Sequence, residues 1–578
     1  MTKRRHVGSS PPGARDPSSK RLVRFDRRLF LQGLTLVGGA AAAGGGLDHV
    51  AGAALDAAGA RRGPKGRHAS AKLRKIDGVS IPVSAAILAE NAKQGDPWWV
   101  TRDPVPRDIE GFASQVSAKI GDTVTLFVNT TAPTFHVEAY RMGYYRGVGG
   151  RLVWRSAEVP GTTQPDPVVV APTNTVECQW QPSIQVRVGR TWPPGAYLLK
   201  LVGAGSEQQF VPLCVRDDTS HAAVVIQSSV TTWQAYNRWG GYSLYYGNFG
   251  NSLSFTHAPG SGDYAHRARV VSFDRPYDHD WASGAADFVG NELPVIFDAE
   301  RLGLDVTYWT DVDLHTRPQL LANHRALVSL GHDEYWSAPM RQAGAAGLAG
   351  GVNLAFLGAN ASYRQIRFQP SALGPNRRQV CYKSASEDPF LGVDDALVTV
   401  NWPQAPVSQP ESLLIGSTYQ DVGAEADMVI SDASSWLLDG TGLRAGQSLP
   451  RVVVGEFDRY VPGAPGPDNV DVVAHSVVPN RGNNHSDVTW YTEPGGGGVF
   501  ASGNASWVGN LTDCPYIPPN VLPEPDPTVS ATLRRVMLNL YGVVALGPAS
   551  ATQPSTGNWH QVYAGGSGGP APAATNTA

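Results

Sequence analysis

Ala326-Leu327-Val328-Ser329-Leu330-Gly331-His332-Asp333-Glu334-Tyr335-Trp336-Ser337 is the stretch on which the fold of this chain turns. Its apolar start, Ala326-Leu327-Val328, reads as the end of a buried strand. Ser337-Ala338-Pro339-Met340-Arg341-Gln342-Ala343 then reads as a helix start, with Ser337 as N-cap and Pro339 in the first turn. A glycine, an imidazole, two carboxylates and a phenol therefore sit on a strand-to-helix turn. In open α/β sheets, ligands bind at that carboxyl end. A turn that only reversed the chain would draw on Gly, Asn and Pro. His332 and Glu334 are two apart, so on an extended turn they can face one side, one binding a metal and the other moving a proton. The plainer alternative is a carboxylate capping the next helix and a histidine satisfied by backbone.

Outward from this turn the pattern alternates strand and helix. Ala222-Ala223-Val224-Val225-Ile226-Gln227 is a continuous apolar run, as in a strand buried on both faces. Val295 to Gly303 reads as a helix ending at a glycine, Val306-Thr307-Tyr308-Trp309 as a strand, and Asn353 to Gly358 as another. This β-α-β-α order implies a parallel sheet with right-handed crossovers. Later strands are expected at Arg451-Val452-Val453-Val454 and Gly498-Val499-Phe500-Ala501-Ser502, and a late helix over 529–541. Upstream, Val124-Thr125-Leu126-Phe127-Val128, Ile184-Gln185-Val186-Arg187-Val188 and the turn-and-strand Trp192 to Leu201 make an all-β region. The expected fold class is α/β with an additional all-β domain, an N-terminal immunoglobulin-like β-sandwich. The expected division is a signal peptide at 1–60, a low-complexity linker at 61–84, the sandwich at 85–217, the α/β domain at 218–548 and a disordered tail at 549–578.

The chain has 578 residues, 47 basic against 50 acidic, for a net charge of −3. Nothing in that balance suggests a nucleic-acid surface. With 64 Gly, 44 Pro and only 17% charged residues, the composition favours a loop-rich, strand-containing protein over a helical bundle. Asp26-Arg27-Arg28-Leu29-Phe30-Leu31 looks like a twin-arginine export signal, followed by an apolar stretch too short to anchor in a bilayer. Export by that route, to the cell envelope or beyond, is the expectation, with no stable membrane insertion after processing. Cys178 with Cys214, and Cys381 with Cys514, could form disulfides in an exported protein; four buried thiols fit the spacing equally well.

Three more segments carry candidate chemistry. Thr231-Thr232-Trp233-Gln234-Ala235-Tyr236-Asn237-Arg238-Trp239-Gly240-Gly241-Tyr242 is an aromatic loop after the first parallel strand. Val271-Ser272-Phe273-Asp274-Arg275-Pro276-Tyr277-Asp278 reads by itself as an ordinary turn. Phe356-Leu357-Gly358-Ala359-Asn360-Ala361-Ser362 again follows a strand, and Asn360 could donate a hydrogen bond into a site or cap a helix. No G-x-S-x-G elbow between a strand and a helix, no H-E-x-x-H motif and no P-loop is present.

Taken in order, these segments resemble the large (β) subunit of N,N-dimethylformamidase and its relatives, from about residue 105 to 545. The resemblance is carried by Ile109-Glu110-Gly111-Phe112-Ala113-Ser114, Tyr140-Arg141-Met142-Gly143-Tyr144-Tyr145, Thr232 to Asn237, the Tyr277 turn, Gly331 to Trp336 and Gly358-Ala359-Asn360. It implies an α/β domain like class I glutamine amidotransferases without their cysteine nucleophile. It also implies a mononuclear iron, ferric by its hard oxygen donors, held by Tyr236, Tyr277 and Glu334. His332 and Asn360 are then the nearby catalytic groups, and Glu456 in Gly455-Glu456-Phe457-Asp458 is a further acidic candidate. The implied activity is hydrolysis of a small amide C–N bond. The family's small partner subunit is not evident, and a homo-oligomer is allowed. The competing expectation is a non-catalytic carbohydrate- or cell-wall-binding protein on the same fold, using Trp98-Trp99 and Trp192.

Overall fold

The computed structural model describes residues 72–256, 262–511, 513–514 and 525–564. The twin-arginine stretch and residues 565–578 lie outside the described residues.

The strand Val224–Ser228 is buried along its whole length. It pairs in parallel with Val306–Thr310 on one side and Ala326–Ser329 on the other. Asn353–Phe356 and then Gly498–Ala501 continue the parallel set. Numbered along the chain, the five strands lie in the order 2-1-3-4-5, a doubly wound sheet, and two antiparallel strands, Asn484–Thr492 and Asp471–Val478, extend it. In this order the winding reverses between the first and third strands, which opens a crevice outside their carboxyl ends. Those ends are Ser228 and Ser329. The turn that begins the sequence argument therefore emerges at the switch point.

Local signals behave as their chemistry requires. The helix Leu293–Leu302 stops at Gly303, whose φ of 73° lies in the left-handed region glycine enters freely. Asp526 caps the helix Pro527–Val544, which covers the expected late helix. One feature differs. Between Glu334 and the capped helix Ala338–Ala349 lies a short strand, Tyr335–Ser337, paired in parallel with Arg364–Ser371. The turn thus feeds a second, smaller sheet before the helix begins, because Tyr335 and Trp336 are both fully buried and need a pleated surface to pack on.

The upstream region is two antiparallel-dominated sheets. Thr123–Thr130 lies between Ile184–Arg187 and Ile109–Ala113, while Gly195–Gly203 lies between Gln208–Arg216 and Thr134–Met142. Leu126, Val137, Ala139, Leu199, Leu201 and Leu213 alternate inward to form the core between them. This β region is fastened to the α/β domain by a buried ion pair. Arg141 grips Glu300, on the helix Leu293–Leu302, with two N–H groups at 2.6 and 2.8 Å. Tyr308 and Asn91 donate to the same carboxylate at 2.7 and 2.8 Å. The Tyr140 to Tyr145 segment is thus an inter-domain fastening.

Several expectations need correction. From Lys72 onward the expected linker is a hairpin, Lys72–Ile76 with Val79–Val83, followed by the Ser84-capped helix Ala85–Asn91. Ile81 and Val83 are buried in the main core, which explains why this stretch is not a free linker. The tail is also structured as far as residue 564. Tyr563 donates to Asp487 at 2.5 Å, the Trp559 ring lies tilted against Tyr460 at 5.1 Å, and Asn558 donates to Asp432 at 2.9 Å. Cys178, Cys214 and Cys381 are buried free thiols, so neither disulfide pairing is present. Trp98 and Trp192 are only 1% and 2% exposed, which leaves neither ring face for a sugar.

Candidate metal and acid–base centre

Glu334 is completely buried at the switch point, and three donors converge on its carboxylate. Tyr236 donates to Oε2 at 2.8 Å. The Tyr245 hydroxyl lies 2.8 Å from Oε1 and 3.0 Å from Oε2. Arg364 Nε donates to Oε1 at 3.0 Å. The two phenol oxygens are themselves 2.9 Å apart. Burial alone would raise the Glu334 carboxyl. The charges of Arg364, His332 and Lys383 outweigh it, and with the Tyr236 hydrogen bond they hold the group below the ordinary carboxylate range. Burial first, and then the Glu334 charge, push both phenols well above the ordinary phenol range.

The three oxygens therefore form a triangle with sides of 2.8–3.0 Å. Oxygens about 2.0–2.1 Å from one small hard cation, on one face of an octahedron, would stand about 2.9 Å apart. A carboxylate with two phenols, all hard oxygen donors, fits a ferric ion by its chemistry; the spacings themselves are those of the hydrogen bonds among the three groups.

Each side chain is delivered by a different element. Tyr236 is the last residue of the helix Val230–Tyr236, which follows the first parallel strand. Tyr245 lies nine residues on and returns because the Leu244 N–H donates to the Ala235 carbonyl at 2.9 Å. Arg364 is brought in by the pairing of Tyr335 with Arg364. Tyr335 donates to Tyr245 at 2.7 Å, and Lys383 Nζ stands 2.9 Å from the centre of the Tyr245 ring. The sequence reading missed Tyr245, Arg364 and Lys383.

The loop is held by Arg275. Its guanidinium donates to the Trp239, Tyr242 and Asn237 carbonyls at 3.1, 2.8 and 3.0 Å and to Gln234 Oε1 at 2.9 Å. The neighbouring Pro276 carbonyl accepts from Asn237 at 2.9 Å. The Asp274 to Tyr277 segment is therefore a clamp on the loop that carries Tyr236 and Tyr245. Lysine at position 275 has no planar fork and only three donors. Arg275→Lys is expected to leave buried carbonyls unpaired and to cost about 1–3 kcal/mol. Urea unfolding measures it, and a wild-type midpoint would show that the clamp is not needed.

Beside the triangle lies a second group. His332 Nε2 is 3.5 Å from Glu334 Oε2 and 2.8 Å from Glu456 Oε2. His332 Nε2 and Glu456 Oε2 thus face each other as an ion pair, while Asn360 Oδ1 is buried without a hydrogen-bond partner. Asn360 Nδ2 donates to Glu456 Oε1 at 3.4 Å. Burial works against a charge on His332. The charge of Glu456 and its hydrogen bond, with the charges of Glu334 and Asp287, more than offset this and raise the imidazole to about 9. A cation flanked by carboxylates, next to an unsatisfied acceptor, can hold and pass a proton. The loops carrying His332 and Asn360 touch backbone to backbone. A Cβ at Gly358 would sit 1.6 Å from the Gly331 carbonyl oxygen, so only glycine allows the approach.

The structure thus brings together Tyr236, Glu334, His332, Glu456 and Asn360. It does not bring Tyr277 into this hydrogen-bonded cluster. Tyr277 packs edge-on to Trp233 at 6.2 Å and lines a cavity of about 40 Å³ between the β region and the α/β domain, with Phe273, Phe288 and Leu213. After burial, the charge that acts most on its phenol is Asp311. Asp333 faces into the sheet, accepting from Ser329 at 2.7 Å and Gln227 at 3.1 Å, as a structural carboxyl does.

A buried acid–phenol triangle and a histidine–glutamate ion pair thus lie at the switch point of a doubly wound sheet, the place where such sheets take ligands. The family model described as N,N-dimethylformamidase beta subunit-like, C-terminal, matches residues 136–520, and the chain belongs to that family. No curated protein matches the chain. Among the described residues, no helix is long and apolar enough to cross a membrane.

Proposed function

We propose that this protein is an exported, iron-dependent amidohydrolase that cleaves the C–N bond of a small amide. The observation that carries the reading is the oxygen triangle of Glu334, Tyr236 and Tyr245, set beside the buried His332–Glu456 ion pair at 2.8 Å and the unpartnered Asn360 Oδ1. Glu334, Tyr236 and Tyr245 would hold the ion. When bound, iron supplies Lewis acidity that polarises an amide carbonyl or acidifies a water. The chain's own groups do the rest. Arg364 fixes the Glu334 carboxylate. The Asn360 carboxamide faces the oxygen on which charge develops as water adds to the carbonyl carbon. His332, set by Glu456, gives its proton to the departing nitrogen as the C–N bond breaks, and the proton that the attacking water gives up restores it. The products are a carboxylic acid and an amine. The twin-arginine motif supports export of the folded protein. The strand order 2-1-3-4-5 supports a class I glutamine amidotransferase-like domain, and the two packed sheets support an immunoglobulin-like sandwich.

The test is elemental analysis of protein from iron-supplemented cells, with amine release measured over a panel of small secondary and tertiary amides. One iron per chain and release from at least one amide are expected. Iron-loaded protein inert to the whole panel would refute the reading. The ligand assignment has its own test. Tyr245→Phe is expected to lose most of its iron and to slow turnover by about 10²-fold or more, whereas Tyr277→Phe keeps its iron. The reverse pattern would return the second phenolate to Tyr277.

A further inference from the structure

Asn360 is held in a conformation its side chain does not favour. Its φ is +57°, in the left-handed region that asparagine enters more readily than most residues but seldom without a reason. The reason is visible in the chain opposite. Asp458 Oδ1 accepts the Asn360 backbone N–H at 2.8 Å. Asp458 lies on the strand Ser448–Arg459, two residues beyond Glu456, so both carboxylates leave the strand on the same side. One meets the Asn360 backbone and the other its carboxamide, at 3.4 Å. Asp458 is itself anchored, its own N–H donating to the Gly503 carbonyl at 2.9 Å just past the fifth parallel strand. Asp458 and Asn360 are 3% and 4% exposed, so water does not substitute for either partner. Burying a carboxyl is costly, and this one forms no ion pair within 4 Å among the described residues.

We propose that Asp458 is a positioning residue that fixes Asn360 in the left-handed conformation and thereby aims its carboxamide at Glu456. The loops after the third, fourth and fifth parallel strands are then stitched into one rigid edge. Gly331 meets Gly358, Asn360 meets Asp458, and Asp458 meets Gly503. Asp458 touches neither substrate nor the oxygen triangle, so it acts only through Asn360. The proposal rests on the proton-handling role given above to His332, Glu456 and Asn360. Burial pushes the Asp458 carboxyl up to about 8, consistent with a group kept for one hydrogen bond rather than for its charge.

The experiment compares Asp458→Asn with Asp458→Leu. Asparagine keeps an oxygen acceptor in place; leucine keeps the shape and removes it. Asp458→Ala repeats the removal without a larger apolar side chain. In crystal structures, Asn360 is expected to stay left-handed in D458N and to leave that region in D458L and D458A, with its carboxamide off Glu456. In turnover, D458N is expected to keep kcat within ~3-fold. D458L should lose on the order of 10²-fold in kcat with KM within ~2-fold, as a displaced catalytic group does. In an Asn360→Gly background, D458L should cost no more than ~3-fold further in kcat, because glycine has no carboxamide to aim. Asn360 unmoved in both D458L and D458A would overturn the proposal, as would D458L turnover equal to D458N. The crystal comparison needs no substrate, so it decides positioning even if the wild-type protein hydrolyses none of the amides and the functional reading falls.

Discussion

Glu334→Gln is expected to abolish iron binding and amide hydrolysis together while leaving the protein folded. Tyr236, Tyr245 and Arg364 all direct hydrogen atoms at this carboxylate. A carboxamide offers one acceptor and one N–H₂ donor, so one of its ends must face a donor. The buried cation Arg364 would lose its only carboxylate within 4 Å among the described residues, keeping its hydrogen bond to Asn401. The triangle loses its one anionic oxygen donor at the ordinary charge state, and the ion loses the group that fixes its position. The expected loss is several kcal/mol of transition-state stabilisation, on the order of 10³-fold or more in kcat. Elemental analysis, amine release and far-UV circular dichroism check it together. Retained iron with more than about a tenth of wild-type turnover would remove Glu334 from the centre of the site.

Arg141→Met is expected to be the most destabilising single substitution outside the site. Arg141 and Glu300 are both 0% exposed. Methionine fills the space of the stem but leaves Glu300 charged, buried and without its bidentate partner. Breaking a buried pair from one side costs about 3–5 kcal/mol. Tyr308 and Asn91 still donate to the carboxylate, which softens the loss without supplying a charge. The double variant Arg141→Met, Glu300→Met removes both charges and should recover most of the stability. Chemical unfolding of the two variants measures the difference. If the single variant unfolds with the wild type, the β region is held to the α/β domain by something other than this pair.

Much of this architecture is written locally. Ala222 to Gln227 has no polar face, so it had to be a strand covered on both sides. The apolar runs stop at Gln227 and Val328, one residue short of the strand ends at Ser228 and Ser329. Glu334, His332 and Asn360 were legible because each follows such a run by a few residues, and in a doubly wound sheet that places them at one edge. Tyr236 was singled out only by the family resemblance, since the aromatic loop that carries it reads by itself as a small core. Tyr245 was not. It lies in the same loop, and only the return of the chain at Leu244 and the Arg275 clamp turn its phenol back onto Glu334. Arg364 and Lys383 reach the site through pairing in a second sheet that no periodicity announced. Tyr277 was set beside Tyr236 by the family resemblance alone, because residue type and order in the chain say nothing about which side of a helix a loop passes. The hairpin at Lys72 and the ordered segment after residue 549 were misread for a related reason. Their composition is that of linkers, and it is the surface they cover that orders them.

The sequence by itself determined an α/β sheet behind a β region and a turn rich in ionisable groups, Gly331 to Trp336, at the sheet's carboxyl edge. Those follow from short-range patterns, since burial on one or two faces is recorded residue by residue in the spacing of apolar side chains. Only the tertiary structure decided which phenols stand against Glu334, which cation holds it, and that Asp458 meets Asn360. These are contacts between loops whose paths are set by packing against other elements, and the distances that matter, 2.8–3.0 Å, are finer than any spacing along a chain can specify.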